Sequence, residues 1–204
     1  ADAQYTGGFF NLLNPYALLG GATTLLAFLT HGAVFLGMKT TGVLQRDAMD
    51  LAAKLAIPTA VVAAVFLLWT QFSYGSGWTW IAVIAAALAA VGMVVATSLR
   101  REGLAFAATS VAIIGTVATL FGSLFPDVLP STTDEAYNLT VANTSSSHYT
   151  LTIMTWAAAF ITPVVIGYQA WSYWVFRQRI STAQIPAHTG LPSLKVNAGV
   201  DSRR

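Results

Sequence analysis

The chain has 204 residues, of which 55% are hydrophobic and only 9% charged, whereas a soluble domain carries about 25% charged residues. So few charges cannot coat a water-facing surface, and a mean hydropathy of +0.64 makes a bilayer the natural solvent. The net charge is +2 and cysteine is absent, which excludes disulfides, iron–sulfur ligation and thiolate zinc sites.

Residues 1–14 form an opening segment. Ala1-Asp2-Ala3-Gln4 has neither a basic n-region nor a cleavage pattern after it, and no Met begins the chain. It is expected to start within a longer polypeptide or after processing. Five apolar spans follow, at about 15–38, 55–72, 78–98, 104–125 and 149–176, and none contains Asp, Glu, Lys or Arg. Each is close to or above the roughly 20 residues that cross a hydrocarbon core. Asn14 followed by Pro15 reads as an N-cap with proline at the first helical position. Asp47, with Asp50 three residues on, is expected to cap an amphipathic run leading into the second span. Pro58 and Pro163 lie inside spans and are expected to kink them. Residues 15–180 thus form one transmembrane domain, and the tail 181–204, rich in Pro, Gly, Ser and Thr, is expected to be a flexible cytoplasmic segment.

The charges set the expected topology. All ten cations, Lys39, Arg46, Lys54, Arg100, Arg101, Arg177, Arg179, Lys195, Arg203 and Arg204, fall in the connections 39–54 and 100–102 and after residue 176. The opposite segments hold Asp2, Asp127, Asp134 and Glu135 and no cation. The positive-inside rule then places the N-terminus outside and the C-terminus in the cytoplasm. Aromatic residues collect near both edges, Trp69, Phe72, Tyr74, Trp78 and Trp80 on one side and Tyr168, Trp171, Tyr173 and Trp174 on the other, as interface anchors do. Small residues repeat at spacing four, in Ala17/Gly21, Ala82/Ala86/Ala90 and Ala108/Ala112, and predict close helix packing.

Chemistry-bearing residues are sparse. His31 is the one titratable side chain inside a span other than tyrosines, roughly 24 Å below the start of its helix by rise per residue. An intramembrane ionisable group is a functional candidate: a haem ligand, a relay member or a quinone or lipid contact. The plainer reading is a neutral imidazole bonded to a carbonyl on a neighbouring helix. Asp134, Glu135 and His148 share the outer loop without a metal-site spacing, so solvated side chains and no metal are expected there. Sequons stand at Asn138–Thr140 and Asn143–Ser145. No phosphate-binding loop, nucleophile elbow or nucleic-acid patch is present. The fifth span runs 28 residues, and its Ala157-Ala158-Ala159 run and Pro163 put a small, bent face at mid-membrane. It is the helix expected to meet a partner.

Several motifs resemble one family. Tyr5-Thr6-Gly7-Gly8-Phe9-Phe10-Asn11-Leu12-Leu13-Asn14-Pro15-Tyr16, Thr30-His31-Gly32-Ala33 running on to Met38-Lys39-Thr40, and Leu124-Phe125-Pro126 through Leu129-Pro130-Ser131-Thr132 are similar to stretches of cytochrome bd quinol oxidase subunit II. So are Thr144-Ser145-Ser146-Ser147, Leu151-Thr152-Ile153-Met154-Thr155-Trp156 and Tyr168-Gln169-Ala170-Trp171-Ser172-Tyr173-Trp174. Their order matches the C-terminal part of that subunit. The resemblance implies an all-α fold, a four-helix bundle plus a peripheral helix, in a bacterial plasma membrane. It implies quinol-dependent reduction of oxygen to water, with charge separated because the protons come from the cytoplasm. The expected partner is a haem-bearing subunit I, holding two haems b and one haem d, with small accessory membrane subunits, quinone and lipid as further contacts. No catalytic or cofactor-binding residue is then expected in this chain, whose part is that of a scaffold. Members of the family carry Gln where His31 stands, which argues against an essential ligand, and the last helix is expected to contribute to the contact between subunits. Two other classes remain in view from the residues alone: half of a secondary transporter or channel, and a structural assembly factor. The lack of an intramembrane carboxylate or cation weighs against ion coupling.

Overall fold

A computed structural model describes residues 12–131 and 134–180. The opening motif up to Asn11, Thr132 of the closing stretch and the tail 181–204 lie outside the described residues. Five long helices are present: α1 (Pro15–Lys39), α2 (Val43–Tyr74), α3 (Trp80–Ser98), α4 (Glu102–Leu124) and α6 (His148–Val175), with a one-turn helix α5 (Val141–Thr144) before the last. All five long helices, α3 together with the turn before it, are long and apolar enough to cross a membrane.

Local chemistry sets the ends of α1. The Asn14 side chain accepts a hydrogen bond from the Ala17 N–H at 2.8 Å, and Pro15 occupies the first helical position, where its missing donor costs nothing. At the other end the chain reverses through Thr40–Gly42, and Gly42 takes φ 75°, a left-handed conformation that glycine adopts without penalty.

The second helix differs from the expectation. Asp47 and Asp50 do not cap it; both lie inside a single 32-residue helix that starts at Val43. Its amphipathic entry is continuous with the span because Ala48, Met49, Ala52 and Ala56 form one buried stripe. Met49 fills the place where Gly37 of α1 has no side chain: a Cβ there would lie 2.7 Å from the Met49 sulfur. The helix also runs through Pro58, and α6 runs through Pro163.

The first four long helices pack on one another, α1 against α2 and α3 against α4 most extensively, with α2–α3 and α1–α4 contacts closing the set. Buried side chains are mainly small, including Ala33, Ala52, Ala86, Ala96 and Ala105. The seam between α3 and α4 runs through Ala108, Gly115 and Gly122. A Cβ on Gly115 would stand 2.9 Å from Ala86 Cβ and 3.2 Å from the Ala82 carbonyl oxygen. On α4 the spacing is seven residues, while on α3 Ala82 and Ala86, four apart, both meet Gly115. The four-spaced pair Ala17/Gly21 is exposed.

The remaining long helix, α6, buries none of its residues. It is fastened at its cation-bearing end. Lys39 Nζ donates to the Phe176 carbonyl at 3.1 Å, and the Ile180 N–H donates to the Lys39 carbonyl at 2.8 Å. Glu102 at the start of α4 accepts from both Gln45 and Arg179, and Arg100 pairs with Asp50. At the opposite end Tyr16 meets Thr70 at 2.9 Å and rings of Phe66, Trp69 and Tyr74. Between α4 and α6 the polar loop contains a short antiparallel ribbon of β1 (Asp127–Leu129) and β2 (Leu139–Thr140), which the residue pattern does not announce.

Candidate functional site

Threonines dominate the polar interior of the helix group. Thr23, Thr30, Thr59, Thr70, Thr97, Thr109 and Thr119 are all buried. Most satisfy themselves by donating to a carbonyl three or four residues earlier, Thr23 to Leu19 at 2.8 Å and Thr119 to Gly115 at 2.8 Å among them. A buried hydroxyl in an apolar setting needs such a partner. Thr30 and Thr59 also meet across α1 and α2 at 2.8 Å.

His31 belongs to this network. Its Nδ1 lies 2.7 Å from the Thr109 hydroxyl on α4, and its ring stacks on Phe106 with centroids 4.7 Å apart. Thr109 Oγ1 is also 2.9 Å from the Phe106 carbonyl oxygen. A hydroxyl has one proton to give. If it goes to that carbonyl, Nδ1–H donates to Thr109; otherwise the hydroxyl donates to an unprotonated Nδ1. In either case His31 ties α1 to α4. The partner is a hydroxyl rather than the carbonyl expected, because the Phe106 carbonyl is reached only through Thr109.

Next to this link lies a cavity of about 370 Å³, open on one side and lined by residues of all four helices. Met93 is the one thioether in its lining, and no histidine, cysteine or tyrosine faces it there. His31 is not in that lining; its Nδ1 is engaged by Thr109 and one ring face is covered by Phe106.

The loop between α4 and α6 is built from its own side chains. Asp134 accepts the Ala136 N–H at 2.9 Å. Both sequon asparagines serve as braces: Asn138 accepts from Ser131 N–H at 2.8 Å and donates to Asp127 at 3.0 Å, while Asn143 accepts the Thr140 N–H at 2.7 Å. Asn143 and Thr140 thus form a reciprocal cap on α5, a role that the sequon spacing does not suggest. Among the described residues no three His, Cys, Asp or Glu side chains cluster as a metal site would require.

Ala157, Ala158, Ala159 and Pro163 all sit on the exposed shaft of α6. Consecutive residues point about 100° apart on a helix, so the three alanines cannot share one face. Ala159 and Pro163, four apart, do share one. Trp156 and Phe160 form a neighbouring stripe, with rings 6.2 Å apart, and they are 64% and 70% exposed.

Comparison with known proteins points in one direction. The family model for cytochrome bd terminal oxidase subunit II matches residues 1–176. Cytochrome bd ubiquinol oxidase subunit 2 of Bacillus subtilis is 36% identical over 186 aligned residues, covering 89% of this chain and 55% of that protein. Cytochrome bd-I ubiquinol oxidase subunit 2 of Escherichia coli is 28% identical, over 91% of this chain and 58% of its own length. A probable cytochrome oxidase subunit 2 of Haemophilus influenzae is 29% identical, over 84% and 54%. The chain spans little more than half the length of these relatives.

Proposed function

Because the chain belongs to the cytochrome bd terminal oxidase subunit II family, we propose that it serves as the membrane scaffold of a quinol-oxidising, oxygen-reducing assembly. Its partner in that assembly is a haem-bearing subunit I, which holds two haems b and one haem d. Quinol gives up its electrons near the outer face on that partner, and protons for water come from the cytoplasm. Small accessory subunits, quinone and lipid complete the contacts. The observation that carries the scaffold reading is α6, a 28-residue apolar helix none of which is buried among the described residues. A helix spends no such surface on water, so lipid or another protein covers it. The arrangement is that of a four-helix bundle, α1 to α4, with α6 peripheral to it and turned toward the partner. The transporter reading gives way to the family assignment. A strain lacking this chain should lose quinol-dependent oxygen uptake by this oxidase, and expression of the chain should restore it. Unchanged uptake without the chain would refute the reading.

The proposed orientation is N-terminus outside and C-terminus inside. It rests on the ten cations and on the ion pairs Arg179–Glu102 and Arg100–Asp50 at one end of the helices. A reporter fused after Arg204 should be active only when it matures in the cytoplasm; activity restricted to the periplasm would reverse the topology.

His31 acts in this reading as a helix tie, not an iron ligand. Glutamine at this position keeps a group that reaches Thr109, so His31→Gln should leave the haem content of the assembly unchanged. The lost stack on Phe106 should cost about 0.5–1.5 kcal/mol of stability, seen as a lower unfolding temperature. Loss of one haem's absorbance in an intact His31→Gln complex would assign a ligand role to His31 instead.

A further inference from the structure

The small side chains that bring these helices together also leave space between them. Gly20, Ala60, Ala63, Ala90 and Ala112, from all four helices, contribute little volume to the walls of the cavity of about 370 Å³. We propose that this cavity is a binding site for a single hydrocarbon chain, the acyl chain of a membrane lipid, which enters between α1 and α4.

Its chemistry selects that occupant. Five threonines line the cavity, and every one of their hydroxyls is already engaged. Thr23, Thr24, Thr109 and Thr116 are bonded to carbonyls of Leu19, Gly20, Phe106 and Ala112 at 2.8–2.9 Å. Thr59 meets Thr30 at 2.8 Å and the Leu26 carbonyl at 3.3 Å. An occupant therefore finds no uncommitted donor. Water needs two to four polar partners to settle in a cavity, and apolar cavities of about 150 Å³ stay dry yet accept benzene. A space more than twice that size, with the same character, suits a longer apolar molecule. A quinone ring would leave both of its carbonyls without donors, which is costly away from water. A saturated chain leaves nothing unpaired.

The route is on the same helices. Phe28 of α1 and Val117 of α4 line the cavity and are still 59% and 46% exposed, so the cavity opens toward the bilayer between them. A chain moving from lipid into this space gains no hydrophobic transfer energy, since both surroundings are apolar. It gains contacts with walls that otherwise face a void, and lost contacts are what a cavity costs. Occupancy would hold the four helices at their present separation.

The test uses the intact assembly in its native membrane, loaded with a phospholipid whose acyl chain carries a diazirine near its middle. After illumination, adducts are mapped by peptide mass spectrometry. The proposal expects adducts on the interior residues Ala63, Ala90 and Ile113. Ala63→Phe, which fills the space, should abolish them, and Ala112→Leu should do so with a smaller added volume. Adducts in the unaltered protein that are confined to outward-facing residues such as Ile81 and Leu88 would overturn it. So would labelling of the interior by a quinone with a photoreactive tail but not by the phospholipid. The readout is independent of oxygen reduction and of which subunit is the partner.

Discussion

Replacing Gly115 with leucine is expected to separate α3 from α4 and to be among the most damaging single changes in the four-helix group. A Cβ at this position already meets Ala86 Cβ at 2.9 Å and the Ala82 carbonyl and Ala86 Cα at 3.2 Å. Two of those three atoms are backbone, so no side-chain rotation relieves the clash. The helices must move apart, and the contact opposite Gly122, where Trp78 packs at 2.6 Å and Thr79 at 3.1 Å from an added Cβ, loosens with them. Overpacking a close-packed contact costs about 1–3 kcal/mol, occasionally more, and leucine adds three carbons beyond the Cβ. Gly115→Ala should cost less than Gly115→Leu but still destabilise. Gly103→Ala, on the same helix with nothing within 4 Å of the added Cβ, should be neutral or gain up to about 1 kcal/mol from its better helix propensity. Unfolding of the purified protein in a denaturing detergent titration gives all three values. Equal stability of Gly115→Leu and the unaltered chain would mean that α3 and α4 do not pack through this glycine.

The α3–α4 seam also shows where sequence reading stops. The residue types were right, since small side chains do mediate helix approach. The period held only in part: Ala82 and Ala86, four apart on α3, meet Gly115, but the α4 side repeats every seven residues through Ala108, Gly115 and Gly122, and Ala17 and Gly21 are exposed. Spacing four is met by chance in any alanine-rich span, and only the partner helix decides which stripe is used. The α1 start was legible because Asn14 and Pro15 act on their own turn. The first 12 residues of α2 were not read as continuous with the span because Arg46, Asp47, Asp50 and Lys54 interrupt its hydropathy, although Ala48, Met49, Ala52 and Ala56 carry the helical period. His31 was visible as a lone polar group, but Thr109, 78 residues away, could be identified only after folding. The two-stranded ribbon is not legible in the sequence because three- and two-residue strands carry no alternation.

The second large effect concerns α6. A phenylalanine at Ala158 or Ala159 is expected to weaken assembly with the proposed haem-bearing subunit while leaving this chain inserted. None of α6 is buried among the described residues, so a larger side chain on its shaft has room there. Any penalty must come from whatever covers the helix. If another protein packs closely on this face, overpacking costs about 1–3 kcal/mol, which weakens association about 5- to 150-fold. If lipid covers it, the substitution is nearly free. The pair Ala159 and Pro163 lies on one face, so Ala159→Phe is the sharper probe, with Ala157→Phe and Ala158→Phe sampling the other sides. Co-purification of subunit I with each variant, at matched membrane levels of this chain, reports the result. Full recovery with all three variants would remove α6 from the interface and turn attention to the exposed Ala17/Gly21 stripe of α1.

The central claim is that this chain is held in a haem-bearing quinol oxidase without ligating the haems itself. It is tested most directly by a reduced-minus-oxidised visible spectrum of material purified through a tag on this chain. The account predicts the absorbance bands of b-type and d-type haem in proportion to the chain, unchanged in His31→Gln. A stable, correctly inserted preparation with no haem absorbance would contradict it.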